Sequence, residues 1–296
     1  MPTPERLAEQ FEAHRAHLRS VAYRMLGSAS DAEDAVQEGW IRLGRADVTG
    51  VENLRGWLTT VVARVCLDML RARTSRREDP LDTHVPDPVI TSVDADPETD
   101  AILADSVGLA LLVVLERLDP AERLAFVLHD VFGMSFDEIA PIVDRSAVAA
   151  RQLASRARRR VQSRALDGEQ DLGRQRHVLD AFLAAARTGD FEGLLAVLDP
   201  DIVLRADAGA LAGLSRVVRG ATAVAAQATQ FSMSGLTTEF VRVNGQLGMV
   251  SRRPDGRLFS VLGFTIAGGK IVEIDILADP DRLSRLDLSA LDRRTP

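Results

Sequence analysis

Apolar positions recur at helical spacing through the first quarter of the chain. In AEDAVQEGWIRL (32–43), Ala32, Val36, Trp40 and Leu43 fall on one face at steps of four, four and three, the pattern of an amphipathic helix. Ser30 stands ahead as a predicted N-cap, with acids in the first turn. Asp34, Gln37 and Glu38 lie off the apolar stripe. GRADVTGVEN (44–53) reads as a loop, and LRGWLTTVVARVCLDMLRARTSRR (54–77) predicts a long apolar helix that turns basic at its end. The periodicity then stops. Residues 78–105 hold four prolines, nine acids and neither lysine nor arginine. Such a stretch buries too little apolar surface to order itself, and its prolines favour extended backbone. It is predicted to be a linker.

Helical periodicity returns at 106. VGLALLVVLERL (107–118) leads to Asp119-Pro120, a helix start with proline in the first turn. AERLAFVLHDVF (121–132) ends at Gly133. SFDEIAPIV (135–143) opens with a Ser-x-x-Glu capping box, Ser135 and Glu138. A further helix follows, with Ser146 as its N-cap. ALDGEQDLG (165–173) reads as a second linker. Beyond it the period changes. Helices over 174–187 and 190–198 precede strand-like stretches at 239–252, 257–267 and 270–278, with turns at PDG (254–256) and GG (268–269). These spacings predict an antiparallel meander. The expected fold class is multidomain: two all-α domains (1–77 and 106–165), the acidic linker between them (78–105), and an α+β domain over 174–285.

Length and charge refine this picture. The 296 residues suit two or three domains. Cys66 is the only cysteine, which excludes an intramolecular disulfide and a cysteine-based zinc site. No apolar run approaches the ~18 residues of a membrane helix, and the N-terminus lacks the apolar core of a signal peptide. A cytoplasmic protein with no membrane contact is expected. Lys270 is the only lysine among 36 basic residues, a bias spread over the whole chain that reads as codon usage. The net charge of −7 falls entirely within residues 81–110, which carry seven acids and no lysine or arginine.

Against that background the helix after Ser146 is unusual. Residues 145–164 hold seven arginines and no acid. At 100° per residue, Ala150, Leu153, Ala157 and Val161 form a core stripe. Arg145, Val148, Arg151, Gln152, Ser155, Arg156 and Arg159 lie across the other side. A short helix, a tight turn and a second helix with a basic outer face make a helix-turn-helix. The second helix of such a pair enters the major groove, where arginine and glutamine read guanine and adenine edges. A solvated helix surface is the plain alternative, but like charges at this density repel without a polyanion.

Three segments in order, AEDAVQEGWIRL, LRGWLTTVVARVCLDMLR and LERLDPAERLAFVLHDVFGMSFDEIAPIVDRSAVAARQLASRARRR, resemble a bacterial RNA polymerase sigma factor of the extracytoplasmic-function group over residues 8–165. The resemblance implies that Asp34, Gln37 and Glu38 dock on the clamp helices of core RNA polymerase. It implies that Asn53, Arg55, Trp57 and Arg64 belong to the part that opens and reads the −10 promoter element. Many members carry asparagine at the position of Arg64, and Trp57 is either a stacking ring for an unpaired base or a core residue. The −35 reader is implied to use Arg145, Ser146, Ala149, Arg151, Gln152, Ser155, Arg156 and Arg159. The acidic linker matches a segment that threads the polymerase's RNA path; it is an RNA mimic or a soluble tether.

Residues 174–285 resemble the SnoaL-like fold, which occurs as an appendage in a subgroup of these sigma factors. DAGAL (207–211) and ADPDRL (278–283) stand where that subgroup carries its glycine-rich and Asn-Pro-Asp-like motifs. The resemblance implies a built-in regulator that contacts the sigma domains, with Asp207, Asp275, Asp279 and Asp281 as candidate regulatory or pocket residues. Three roles stay open for this domain: a packing surface, a sensor of a small ligand, or an enzyme. No catalytic residue, cofactor or metal is assigned. Promoter DNA and core polymerase are the expected partners. A helix-turn-helix regulator that never joins polymerase is the rival reading.

Overall fold

The computed structural model describes residues 4–76, 83–93, 108–162, 171–209, 214–231 and 235–292. The chain divides into two compact units, residues 1–79 with 114–164, and residues 80–113 with 165–296. Most of the predicted linkers at 78–105 and 165–173, and the end of DAGAL at 210–211, lie outside the described residues.

The first unit is helical. Helices α1 (Pro4–Leu26), α2 (Ala29–Arg45) and α3 (Leu54–Arg76) pack around Leu18, Met25, Leu43, Leu58 and Leu67, all fully buried. Gly27 closes α1 in the left-handed region (φ 69°), so the chain reverses at once and Ser28 caps α2, accepting from the Asp31 amide at 3.3 Å. Ser30, the expected cap, lies inside α2 and bonds only the Ser28 hydroxyl at 3.0 Å. The core stripe of α2 is Ala32, Ala35, Val36, Gly39 and Leu43. Its small members let α2 approach α3 closely: a Cβ on Gly39 would fall 2.8 Å from Val62 Cγ2. There is no room for an indole there. Trp40 moves to the rim, 36% exposed, against the Phe11 ring at 5.0 Å.

Helices α4 (Leu109–Glu116), α5 (Pro120–Phe126), α6 (Phe136–Val143) and α7 (Ala147–Gln162) follow, with a π-helical turn over Val127–Val131. Asp119 caps α5 through the Ala121 amide (2.9 Å), and the Ser135–Glu138 capping box forms in both directions. Asp144 ends α6 with φ 55°, a left-handed turn that asparagine and aspartate tolerate better than most residues. Ser146 then caps α7 through the Ala149 amide at 3.2 Å. The buried stripe of α7 is Ala150, Ala154, Ala157 and Val161. Ala154 replaces the expected Leu153, which is half-buried, because a seam of small side chains permits closer helix packing.

The two helical groups of this unit also touch each other. The Arg64 guanidinium on α3 donates to the Pro141 carbonyl of α6 at 3.1 Å. Arg123 on α5 donates to the Arg24 carbonyl at 3.2 Å. Phe132 takes the His17 ring edge-on at 5.3 Å and the Arg24 guanidinium at 5.1 Å.

The second unit is a seven-stranded sheet with helices on one face. Its strands are β1 (Ile90–Thr91), β2 (Leu198–Asp207), β3 (Arg216–Arg219), β4 (Thr237–Val243), β5 (Gln246–Arg252), β6 (Leu258–Ala267) and β7 (Lys270–Leu277). Their order is β1-β4-β5-β6-β7-β2-β3, antiparallel throughout except for β2 on β7. Helices α8 (Leu172–Thr188), α9 (Phe191–Val197) and α10 (Ala221–Phe231) bury Leu179, Leu194, Ile202, Val224 and Ile271 against it. Two short helices, α11 (Pro280–Leu283) and α12 (Ser289–Asp292), end the described chain. This is the α+β domain expected over 174–285. The stretch 239–252 splits into β4 and β5 at Asn244-Gly245, both with positive φ, as a tight hairpin turn requires. Strands β1, β2 and β3 and helix α10 had no clear sequence signal.

Candidate nucleic-acid interface

The arginines of α7, with Arg145 just ahead of it, fall into two sets. Arg158 binds Asp130 (Nε to Oδ1, 2.8 Å) and Arg160 binds the buried Glu122 at 2.8 Å. These two hold α7 to the helices beneath it. The acids that balance them come from other parts of the chain, so the run is less self-repelling than its sequence implies. Arg145, Arg151, Arg156 and Arg159 are exposed and have no carboxylate at ion-pair distance among the described residues. Arg151 lies over the Phe136 ring at 5.3 Å, which restrains its stem and leaves its donors outward. Gln152 and Ser146 are exposed beside them, while Ala149 and Ser155 are half-buried. The outer face of α7 is thus an array of exposed guanidiniums with no carboxylate partner among the described residues, the arrangement that binds phosphates and base edges.

On α2, Asp34 and Gln37 are exposed, and Glu38 pairs with Arg42 at 2.8 Å. The other acids are committed within the bundle: Asp31 to Arg73, Glu33 to Arg15 and Arg19. Beside this acidic group stand Trp40 and Ile41, 36% and 39% exposed. Ile41 carried no functional signal in the sequence, and Trp40 read as core. An exposed aromatic and aliphatic pair next to an exposed acid, Asp34, is the composition of a protein-binding surface.

The residues matched to the −10 reader are partly occupied. Asn53 caps α3, its Oδ1 accepting from the Gly56 amide at 2.9 Å. Arg55 lies 3.1 Å from His17 Nδ1, while Thr59 bonds His17 Nε2 at 3.1 Å and donates to the Arg55 carbonyl. Trp57 is half-buried, between its two readings. Arg64 is exposed yet tied to the Pro141 carbonyl.

In the second unit, three of the four candidate acids have structural roles. Along β2, Leu204 and Ala206 face the helices, so Arg205 and Asp207 emerge on the other face. Asp275, opposite Arg205 on β7, forms a buried ion pair with it at 2.6 Å, joined by Glu273. Asp207 accepts from the Val85 amide (3.0 Å), the Gly209 amide (3.1 Å) and Arg282 (2.7 Å), with His84 Nδ1 at 3.2 Å. Burial alone would raise its pKa; the His84 contact, the two amides and Arg282 outweigh burial and hold it at about 2. Asp279 caps α11 through the Asp281 and Arg282 amides. Its carboxylate fills the space a Cβ on Gly209 would need, 2.1 Å away, and Gly209 itself has φ 59°. Asp281 is exposed. None of the four lines the open cavity of about 570 Å³ bounded by Asp171, Arg174, His177, Val178, Ile266 and Gly268. Asp207 and Asp275 are each ion-paired to an arginine, Arg282 and Arg205.

Two of the contacts of Asp207, with His84 and the Val85 amide, come from the acidic linker. Its described part, 83–93, is ordered on this domain, contrary to a free tether. Arg282 bonds Asp87 and the Val85 carbonyl, both at 2.5 Å. Asn244 satisfies both backbone groups of Val89, at 2.8 and 3.0 Å. Ile90 and Thr91 pair with Val243 and Arg242. Val85 and Ile90 are buried. The segment lacks the apolar surface to fold alone and obtains it from β4 and the end of β2.

Among the described residues no cluster of His, Cys, Asp or Glu could hold a metal ion, and no helix is long and apolar enough to cross a membrane. Cys66 is buried, and burial pushes its thiol up to about 12, which makes it unreactive.

Comparison with known proteins agrees with this arrangement. Residues 10–76 match the Sigma-70 region 2 family and residues 108–161 the Sigma-70 region 4 family. The chain is 39% identical over 290 residues to the ECF RNA polymerase sigma factor SigJ of Mycobacterium tuberculosis, covering 93% of this chain and 92% of SigJ. It is 39% identical over 283 residues to SigI of the same species, described as a probable ECF RNA polymerase sigma factor, covering 93% and 94%. The crystal structure of SigJ superimposes with a TM-score of 0.73 at 35% identity, covering 95% of this chain and 99% of that one. The chain therefore belongs to the extracytoplasmic-function sigma factors, subunits that bind core RNA polymerase and direct it to promoter DNA.

Proposed function

We propose that promoter choice rests on the outer face of α7 and polymerase docking on the exposed corner of α2, with the C-terminal domain as a fused, non-catalytic regulator that holds the linker. The working divisions are 1–77 for docking and the −10 element, 78–105 for the linker, 106–165 for the −35 element and 174–285 for the regulator. The observation that carries the reading is the set of four exposed arginines, Arg145 just ahead of α7 and Arg151, Arg156 and Arg159 on it, none with a carboxylate at ion-pair distance among the described residues. Arg151 and Gln152 read base edges from the major groove, and Arg145, Arg156 and Arg159 hold phosphates. Asp34, Gln37 and Glu38, with Trp40 and Ile41, meet a basic polymerase surface. The protein acts in the cytoplasm, where its partners are.

Geometry adds a requirement. The −10 and −35 elements lie about two helical turns, roughly 70 Å, apart on DNA. Arg64 and α6 are in hydrogen-bond contact here. For Arg64 to reach the −10 element while α7 holds the −35 element, the Arg64–Pro141 and Phe132 contacts must break. The free protein is thus a closed form that opens on polymerase. The regulator adds a second restraint by holding the linker that joins the two sigma modules. Commitment of Asp207 and Asp275 to arginine supports a packing role over catalysis.

The test is run-off transcription by core polymerase on a promoter library, comparing wild type with Asp34→Arg/Glu38→Arg. Promoter-specific transcripts from wild type, lost in the variant, are expected. Equal transcripts from both would reject docking through α2.

A further inference from the structure

Among the described residues the most exposed large apolar side chain is Val148, at 64%. It lies on the second residue of α7, just past the Ser146 cap. At 100° per residue it is about 150° round the helix from the buried alanine stripe. Ser155 and Arg159 lie within about 20° of it, and Arg151 and Gln152 within about 60°, with Arg145 just ahead of the cap. Val148 thus occupies the centre of the guanidinium array, in the turn that goes deepest into the groove in a helix-turn-helix.

We infer that Val148 is a specificity residue that reads the C5-methyl group of a thymine in the −35 element. The inference rests on the reading of α7 as the −35 helix and adds a base to it. Valine can neither hold a phosphate nor bond a base edge. Pressed against a base-edge amine or carbonyl, it would strip water from that group and leave it unpaired, which disfavours the base. The thymine methyl is the one apolar group that the four bases present in the major groove. The side chain is short, so contact requires close approach of the helix. Its chain neighbours, Ala147 and Ala149, are half-buried and too small to hold the helix off. Packing gives the side chain no other task, and alanine is at least as good in a helix, so Val148→Ala keeps the fold.

The experiment uses the full chain with core RNA polymerase on a promoter it selects from a library. Each thymine of the footprinted −35 element is replaced in turn by deoxyuridine, which removes the methyl group alone. One such replacement is expected to lower open-complex formation by wild type about fourfold, the worth of one buried methyl. Val148→Ala should show the same loss on the thymine promoter and no further loss on deoxyuridine. A wild type indifferent to every replacement, or a variant that keeps the penalty, overturns the assignment. Arg151→Ala separates the levels. If it weakens transcription while deoxyuridine does not, only the valine assignment fails. If Arg151→Ala, like deoxyuridine, changes nothing, or if wild type gives no promoter-dependent transcript, α7 is not the reader and both readings fail.

Discussion

Arg282→Ala should release the linker from the C-terminal domain without unfolding that domain. Arg282 makes an ion pair with Asp207 at 2.7 Å, another with Asp87 at 2.5 Å, and a hydrogen bond to the Val85 carbonyl at 2.5 Å. Removing it leaves Asp207 buried without a guanidinium. Breaking a buried pair from one side costs about 3–5 kcal/mol. The Arg282 side chain retains 16% exposure, so water recovers part of that, and roughly 2–3 kcal/mol is expected. The Val85 and Val89 amides report the loss directly, since each donates to a side chain of the domain, Asp207 and Asn244. At about 1.4 kcal/mol per decade, their hydrogen exchange should quicken roughly 30- to 150-fold. Amides of β6 and β7 should stay protected. Arg282→Lys keeps the charge but loses the planar fork, and should fall between the two. Unchanged protection at Val85 and Val89 in Arg282→Ala would refute the clamp, as would equal loss throughout the sheet.

Three other outcomes follow from the same geometry. Asp207 has a pKa of about 2 against an ordinary 3.8, so the stability it contributes is complete above pH ~4 and lost as pH falls through 2; linker protection should decline over that window in wild type, and Asp207→Asn should abolish the dependence. Gly209→Ala places a Cβ against the Asp279 carboxylate at a left-handed backbone position, and should lower stability by about 1–3 kcal/mol, read as a denaturant midpoint; an unchanged midpoint would show that the two motifs do not constrain each other. Arg156→Ala should weaken holoenzyme binding to all promoters alike and reduce the slope of log affinity against log salt by about one, whereas a change confined to one base position would make Arg156 a base reader.

Local chemistry made much of the first unit legible. The Ser135–Glu138 box, the Asp119-Pro120 start and the Ser146 cap all act over three residues or fewer, so the sequence contains both partners. The same holds for the Asn244-Gly245 turn, although the pattern merged its flanking strands. Errors arose where a preceding turn or a facing surface decided. Ser28 displaced Ser30 because Gly27 turns the chain one step earlier. Trp40 left the core because Gly39 lets α3 come too close. Leu153 yielded to Ala154 because the small side chains of the α7 stripe let that helix pack closely.

The acidic linker shows the division most clearly. Its composition alone determined that it could not fold by itself, because it holds prolines and like charges and few apolar groups. Only the tertiary structure decided that residues 83–93 would be ordered, since Val85 and Ile90 find their apolar surroundings, and Val89 its hydrogen bonds, on strands more than a hundred residues away. The same applies to charge. The sequence by itself placed the arginines of α7 on a helix and turned several outward. Which of them are free for DNA depended on Asp130 and Glu122, carboxylates brought beneath α7 by the packing of α5 and the π-helical turn. Periodicity records what a residue does along its own element. Pairing of buried charge is settled between elements, and that information exists only once they have met.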